Sequence, residues 1–284
     1  MKSFCIKTNN SQILEYLQKE ISAMPLSDIY YSQNEFKIYS NIIIHYKGHQ
    51  VLTFVNLFSD ILTNCILLFY ENNILSRIIN YNYFYFDNFE KNMIKANCTE
   101  AINSDYTANY DRKENIWISV FNYLCSDESK KSIILDGFVN FRISEYTKYL
   151  DTIVDLAVNK FIIDREYNDF INLLKAYIDS KPPTIDLVHL IYTNNAPILL
   201  DKNKDLINLS TNNIVNTTYL SDISFSACDY ILNTLLSLIP DKIIIHLIAA
   251  EDDFITSLKL IFSSKIVICN ECDICKTYSL LNKI

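Results

Sequence analysis

The first residues alternate between apolar and polar side chains and then change to helical spacing. "SFCIKT" alternates as a β-strand does, and the apolar positions from Ile13 to Ile21 follow at three- and four-residue intervals. The stretch "EFKIYSNIIIHYKGH" predicts two strands or one bent strand, which end at a turn formed by Lys47 and Gly48. We therefore predict a small β-α-β-β cap over residues 1–48.

Helical spacing dominates residues 49–182. The most regular part lies between Asp136 and Ser180, where apolar positions from Tyr146 to Ile162 follow the rhythm of a long helix facing a core. Pro182 and Pro183 end this pattern, because proline lacks a backbone donor and disfavours helix in the residue before it. The pattern predicts a helical middle region.

The most apolar segment of the chain is "VLTFVNLFSDILTNCILLFY". Asn56, Asp60 and Asn64 recur in it at four-residue spacing and would share one helix face. An Asp inside a bilayer is costly, so we predict an amphipathic helix and no transmembrane segment. Contact with a membrane surface stays an open alternative.

Strand patterns return after Pro183. "IDLVHLIY" and "PILLDKN", joined by a turn at 194–196, predict a hairpin. A helix, the strand "DKIIIHLI", a second helix and the strand "KIVIC" follow, which predicts a β-β-α-β-α-β module over residues 183–284 with a cysteine-rich tail. The predicted fold class is α+β.

Composition excludes several functions. The net charge of −8 would repel the negatively charged phosphate backbone of nucleic acids, so we expect no nucleic-acid partner. Phosphate-binding loops need several closely spaced glycines, and the chain contains only Gly48 and Gly137. No catalytic serine, cysteine or zinc-protease motif is present. We expect a protein without enzymatic activity.

Three cysteines near the end of the chain carry the sharpest chemical signal. Cys269, Cys272 and Cys275 recur at every third position, a spacing used by zinc thiolates and by the first part of ferredoxin motifs. Ser279 stands where a ferredoxin has its fourth cysteine, so that motif is incomplete. Three interpretations remain: a metal-thiolate site that binds zinc or an iron–sulfur cluster, a redox or reversible disulfide role, or a structural cluster of thiols.

A closed zinc site needs a fourth ligand from elsewhere in the chain. His246, His189, Cys228 and a histidine near the N-terminus are the candidates, and the sequence does not choose among them.

A second set of candidates could form a surface or groove site. Arg142, Glu145 and Tyr146 lie on neighbouring turns of the predicted helix, and His189 lies in a predicted strand. Arg142 could bind a carboxylate or phosphate there. The competing interpretation is an internal ion pair between Arg142 and an acidic residue, with His189 as an ordinary strand residue.

Several segments, taken in order, resemble the YtxC-like family of sporulation proteins. They are "GFVNFRISEY", "DREYNDFINLLK", "VHLI", "PDKIIIH" and "IVICNECDIC". The resemblance implies a cytoplasmic protein made during sporulation, and it supplies no reaction. A cytoplasmic location also agrees with an N-terminal sequence unlike a secretory signal, and it would keep the eight cysteines reduced. We expect the protein to act through contacts with another protein.

Overall fold

The computed structural model describes residues 1–36, 39–104, 106–126, 130–193, 197–207 and 226–281. The strands form two mixed sheets, and a helical region lies between these sheets in the chain. This arrangement confirms the predicted α+β class. The chain divides into two compact units, Met1–Ile163 and Asp164–Ile284.

The first unit begins with the predicted β-α-β-β order. Strand β1 (Lys2–Thr8) is followed by helix α1 (Ser11–Ser22) and by strands β2 (Ile29–Glu35) and β3 (Ser40–Tyr46). The side chain of Asn10 accepts a hydrogen bond from the backbone of Gln12 and so caps the start of α1. Strand β3 pairs antiparallel with both β1 and β2.

A fourth strand completes this sheet from far along the chain. Strand β4 (Lys130–Ile134) pairs parallel to β1, so the sheet order is β2-β3-β1-β4. Sequence patterns placed Lys130 and Lys131 at the end of a helical stretch and did not predict a strand. Five residues with two lysines lack clear strand periodicity, and their partner is more than 100 residues away in sequence.

Helices make up the rest of the first unit, as predicted. They are α2 (Val51–Phe69), α3 (Glu71–Asn82), α4 (Asn88–Ser104), α5 (Tyr106–Cys125), α6 (Leu135–Arg142) and α7 (Ser144–Asp179). The residues of α7 up to Ile163 belong to the first unit, and those from Asp164 belong to the second.

Helix α2 packs its apolar side into the core of the first unit. Phe54 and Phe58 are fully buried, and their ring centroids lie 5.9 and 5.4 Å from the ring centroid of Phe4 in β1. This helix has the length and mean hydropathy, 1.8, to cross a membrane, and half of the span is instead buried inside the protein. Burial of a core helix accounts for its apolar composition.

The second unit has the predicted β-β-α-β-α-β order, followed by a helix in the cysteine-rich tail that the sequence patterns did not predict. It contains β5 (Ile185–Tyr192), β6 (Ile198–Asp201), α8 (Ala227–Leu238), β7 (Pro240–Leu247), α9 (Asp253–Phe262), β8 (Ile266–Cys269) and α10 (Asp273–Leu281). Strands β5 and β6 pair antiparallel, and the turn predicted at 194–196 lies outside the described residues. Strands β5, β7 and β8 are parallel, giving the order β6-β5-β7-β8.

The two faces of this second sheet differ in chemistry. One face belongs to the apolar core, with Val188 and Leu190 of β5 beside Ile243 and Ile245 of β7, all fully buried. The alternate residues point to the opposite face, because successive side chains of a strand alternate. His189 and His246 therefore lie on the face that the core does not use.

A partly buried ion pair joins three helices of the first unit. Arg112 of α5 donates to both carboxylate oxygens of Glu71 in α3, at 3.1 and 3.0 Å. The hydroxyl of Tyr146 in α7 also donates to Glu71. The side chains of Arg112 and Glu71 are only 16% and 17% exposed. Burial, followed by the charge of Glu71, raises the pKa of Tyr146, so this hydroxyl stays a donor.

Replacing Glu71 by alanine should lower the free energy of unfolding of the first unit by about 3 kcal/mol, because Arg112 would keep a charge with no partner. Urea unfolding followed by fluorescence of Trp117 measures this, since the chain has one tryptophan and it lies in α5. Glu145→Ala is the control, because its pair with Lys148 is 72–73% exposed and should change stability by less than about 1 kcal/mol. Equal losses in the two variants would contradict this role for Glu71.

Candidate metal centre

Strand register brings the first two ligand candidates together. His246 in β7 is the direct partner of Cys269 in the parallel strand β8. Paired residues of neighbouring strands point to the same face, about 4.8 Å apart along the hydrogen-bonding direction. The imidazole of His246 and the thiol of Cys269 therefore share the face opposite the apolar core.

The chain then turns back over these two residues. Helix α10 begins at Asp273, just after Cys272, and the backbone N–H of Lys276 donates to the carbonyl oxygen of Cys272 at 3.0 Å. Cys275 lies in the first turn of α10, and its thiol donates to the carbonyl oxygen of Cys269 at 3.2 Å. The three-residue spacing thus places one thiol at the strand end, one in the turn and one on the helix.

Four potential ligand atoms converge at this point. Nδ1 of His246 lies 3.3 Å from the sulfur of Cys272 and 3.3 Å from that of Cys275. The sulfur of Cys275 lies 3.7 Å from that of Cys272 and 4.0 Å from that of Cys269. All four ligand atoms lie within 4.8 Å of one another.

These separations suit a single tetrahedral ion. Zinc bonds of about 2.3 Å to sulfur and about 2.0–2.1 Å to nitrogen place two sulfurs about 3.8 Å apart, and a sulfur and a nitrogen about 3.6 Å apart. Two sulfur–sulfur separations of 3.7 and 4.0 Å and two nitrogen–sulfur separations of 3.3 Å lie close to these values, and the remaining pairs lie within 4.8 Å. In an iron–sulfur cluster the protein ligands are divided among two or more irons, and ligands on different irons lie further apart than the ligands of one ion do.

Burial and hydrogen bonding shift the pKa values of His246, Cys272 and Cys275. His246 and Cys275 are each 2% exposed. Burial raises the pKa of the Cys275 thiol to about 12, and the hydrogen bond with Cys272 adds to this. Burial also opposes ionisation of Cys272, but hydrogen bonds from the backbone of Cys275 and from neighbouring thiols outweigh it and lower the pKa of Cys272. Burial lowers the pKa of His246, which favours the neutral imidazole that a metal requires.

The structure distinguishes among the candidates for the fourth ligand. His246 completes the group with Cys269, Cys272 and Cys275. His189 contacts His246 and offers no atom to the group, and Cys228 lies in α8 outside it. His45, the histidine of β3, instead shares a 2.8 Å hydrogen bond with Ser3 in the first unit. No local signal identified His246, because it is separated from Cys269 by a whole helix and belongs to the site only through strand pairing.

The second set of sequence candidates does not share common contacts. Arg142 lies over the ring of Tyr123, 5.5 Å from its centroid. Glu145 pairs with Lys148 on the surface, and Tyr146 is buried against Glu71. Each side chain thus has its own neighbour, and a groove site formed by these residues with His189 stays a prediction.

Thiols outside the metal centre should differ sharply in reactivity. Cys125 is exposed, whereas Cys65 and Cys98 are fully buried. Burial raises the pKa of Cys65 to about 12 and that of Cys98 to about 11. In the reduced native protein we expect iodoacetamide to modify Cys125 rapidly and to modify the other two only after urea unfolding, because the thiolate is the reactive form. Peptide mass spectrometry measures this, and equal native rates would contradict the described core.

Comparison with known proteins agrees with the resemblance seen in the sequence. The model of the YtxC-like family matches residues 56–267, about three quarters of the chain. This match includes His189 and His246 and ends two residues before Cys269. The Bacillus subtilis protein described as "Uncharacterized protein YtxC" is 22% identical over 155 residues, which cover 55% of this chain and 53% of the relative.

The chain therefore aligns with about half the length of that relative. No solved structure matches the chain. Because the family model matches about three quarters of its residues, the chain belongs to the YtxC-like family.

Proposed function

We propose that this protein binds one zinc ion through His246, Cys269, Cys272 and Cys275, and that the ion has a structural role. The observation that carries the proposal is the convergence of one imidazole nitrogen and three sulfurs within 4.8 Å. Three thiolates and an imidazole are a ligand set of structural zinc sites, and tetrahedral geometry is the one zinc prefers. Four protein ligands leave no open position for a substrate, so the site would not be catalytic.

The bound ion would hold the end of the chain against the sheet. Strand β8 has four residues and α10 has nine, and isolated helices this short are marginal in water. A zinc ion would tie α10 to β8 through Cys275 and Cys269, and to β7 through His246. Metal binding would therefore add directly to the folding free energy of this region.

One zinc per chain should be found in protein purified without chelator, by native mass spectrometry with elemental analysis. Free zinc at one hundred times its dissociation constant should add about 2.7 kcal/mol to the stability of the second unit. Hydrogen exchange at residues 266–281 measures the local effect, and zinc should slow exchange there. Removal of the metal with no change in exchange would contradict a structural role.

Cys275→Ser should abolish zinc binding, because it removes a buried ligand at the centre of the group. Cys228→Ser is the matched control, since it removes a thiol from the same unit outside the group. The alternative of a redox function predicts a different result. A metal-free chain that gains a reversible disulfide between Cys272 and Cys275 would favour that function over zinc binding.

We also propose that the protein acts through contacts with another protein. The supporting observation is an aromatic surface between α3 and α4. Tyr81, Phe84, Tyr85 and Phe89 are 61–83% exposed. Exposed aromatic residues grouped in this way are typical of interaction surfaces.

The inward residues of the same segment hold this surface in place. The hydroxyl of Tyr83 donates to Asp155 at 2.5 Å, and Phe86 is buried with its ring edge-on to Phe161 at 5.6 Å. Asp87 and Glu90 exchange hydrogen bonds at the start of α4, as in a capping box. These contacts anchor the backbone that carries the outward aromatic rings.

A photo-crosslinking residue at position 84 should capture a discrete partner protein in cells of the source organism. The same residue at position 145, which is exposed and polar in the native chain, should not capture it. Phe84→Ser with Phe89→Ser should leave the unfolding transition of Trp117 unchanged and weaken binding to the captured partner. Identical crosslinking patterns from positions 84 and 145 would contradict the proposed surface.

The setting of this function follows from the family resemblance. We propose a cytoplasmic, non-enzymatic protein that acts during sporulation. Eight cysteines without a disulfide support a reducing compartment. The net charge of −8 supports a protein partner over nucleic acid.

A further inference from the structure

A second histidine, His189, contacts the side of the His246 ring that faces away from the three cysteine sulfurs. Nδ1 of His189 lies 2.9 Å from Nε2 of His246. The ring centroids lie 5.2 Å apart and the ring planes are inclined by only 19°, so the two rings meet edge to edge, as an in-plane N–H···N hydrogen bond requires. Strand register explains the contact, because His246 pairs with Ile191 and His189 lies two residues before Ile191 on the same face of β5.

The two ring nitrogens of His246 therefore face different groups. Nδ1 faces the sulfurs of Cys272 and Cys275 at 3.3 Å, and Nε2 faces His189. A neutral imidazole has one N–H and one free lone pair. If Nδ1 supplies the lone pair to a metal, Nε2 must carry the proton and donate it to Nδ1 of His189.

We propose that His189 is a positioning residue for the metal centre: by accepting a hydrogen bond from Nε2 of His246, it holds that ring in the Nδ1-coordinating tautomer and rotation. This inference rests on the proposed zinc binding. Outer partners of metal-bound histidines fix the tautomer and ring orientation, and their loss commonly weakens metal binding 10–100-fold. Carboxylates and backbone carbonyls are the usual partners, and here the acceptor is a second imidazole.

The geometry separates this role from direct ligation and from simple packing. Nδ1 of His189 contacts Nε2 of His246 and no sulfur, because it lies on the side of that ring away from the three thiols. His189 is only half-buried, whereas Ile191 on the same face is fully buried. A phenylalanine would keep an aromatic ring at this position but remove the acceptor, so substitution can distinguish the two roles.

His189→Phe should weaken zinc binding by about 10–100-fold, measured by competition with a chromophoric chelator on the full chain. His189→Gln should recover most of the affinity, because its amide oxygen can accept the same hydrogen bond. His45→Phe is the matched control, since it removes a half-buried strand histidine from the first unit and should leave affinity unchanged. Far-UV circular dichroism confirms that each variant is folded.

Nitrogen-15 NMR of labelled histidines gives a readout that packing alone would not change. In zinc-loaded wild type, His246 should show a metal-bound Nδ1 and a slowly exchanging Nε2–H, and in His189→Phe that proton should exchange rapidly. Coordination through Nε2, or affinity and spectrum unchanged in a folded His189→Phe protein, would overturn the inference and leave zinc binding intact. Absence of zinc from the wild type would overturn the proposed function and, with it, this role for His189.

Discussion

The register of three parallel strands is the constraint on which the candidate metal centre depends. In β5, β7 and β8 the same alternation that buries Val188, Ile243 and Ile245 in the core sends His189, His246 and Cys269 to the opposite face. A slip of one residue in β7 would exchange the two faces, placing His246 in the apolar core. Core packing thus selects the register, and the register assembles the site.

The first unit is organised by a different balance of forces. Its core is aromatic and aliphatic, with stacked rings of Phe4, Phe54 and Phe58 between sheet and helix. The pair of Glu71 with Arg112 joins α3 to α5, and the hydroxyl of Tyr146 joins α7 to the same carboxylate. Removing one partner of such a pair is costly, because the other charge stays partly buried.

The terminal elements of the second unit are short: β8 has four residues and α10 has nine, and Cys275 of α10 is buried. Under the proposed zinc binding, four ligands from two strands, a turn and a helix would add the free energy of coordination to the apolar packing of these elements. The contact between His189 and His246 would extend that order from the site to β5, so three neighbouring strands would respond to the bound ion.

The sequence by itself determined the α+β class, the order of most elements and the three clustered thiols. These depend on local properties: alternation in strands, three- and four-residue spacing in helices, proline stops and the spacing of cysteines. Only the tertiary structure decided that β4 joins the first sheet, that His246 is the fourth potential ligand and that Arg142, Glu145 and Tyr146 contact separate neighbours. The reason is that pairing and register join residues distant in the chain, and local periodicity carries no information about which distant partner a strand will meet.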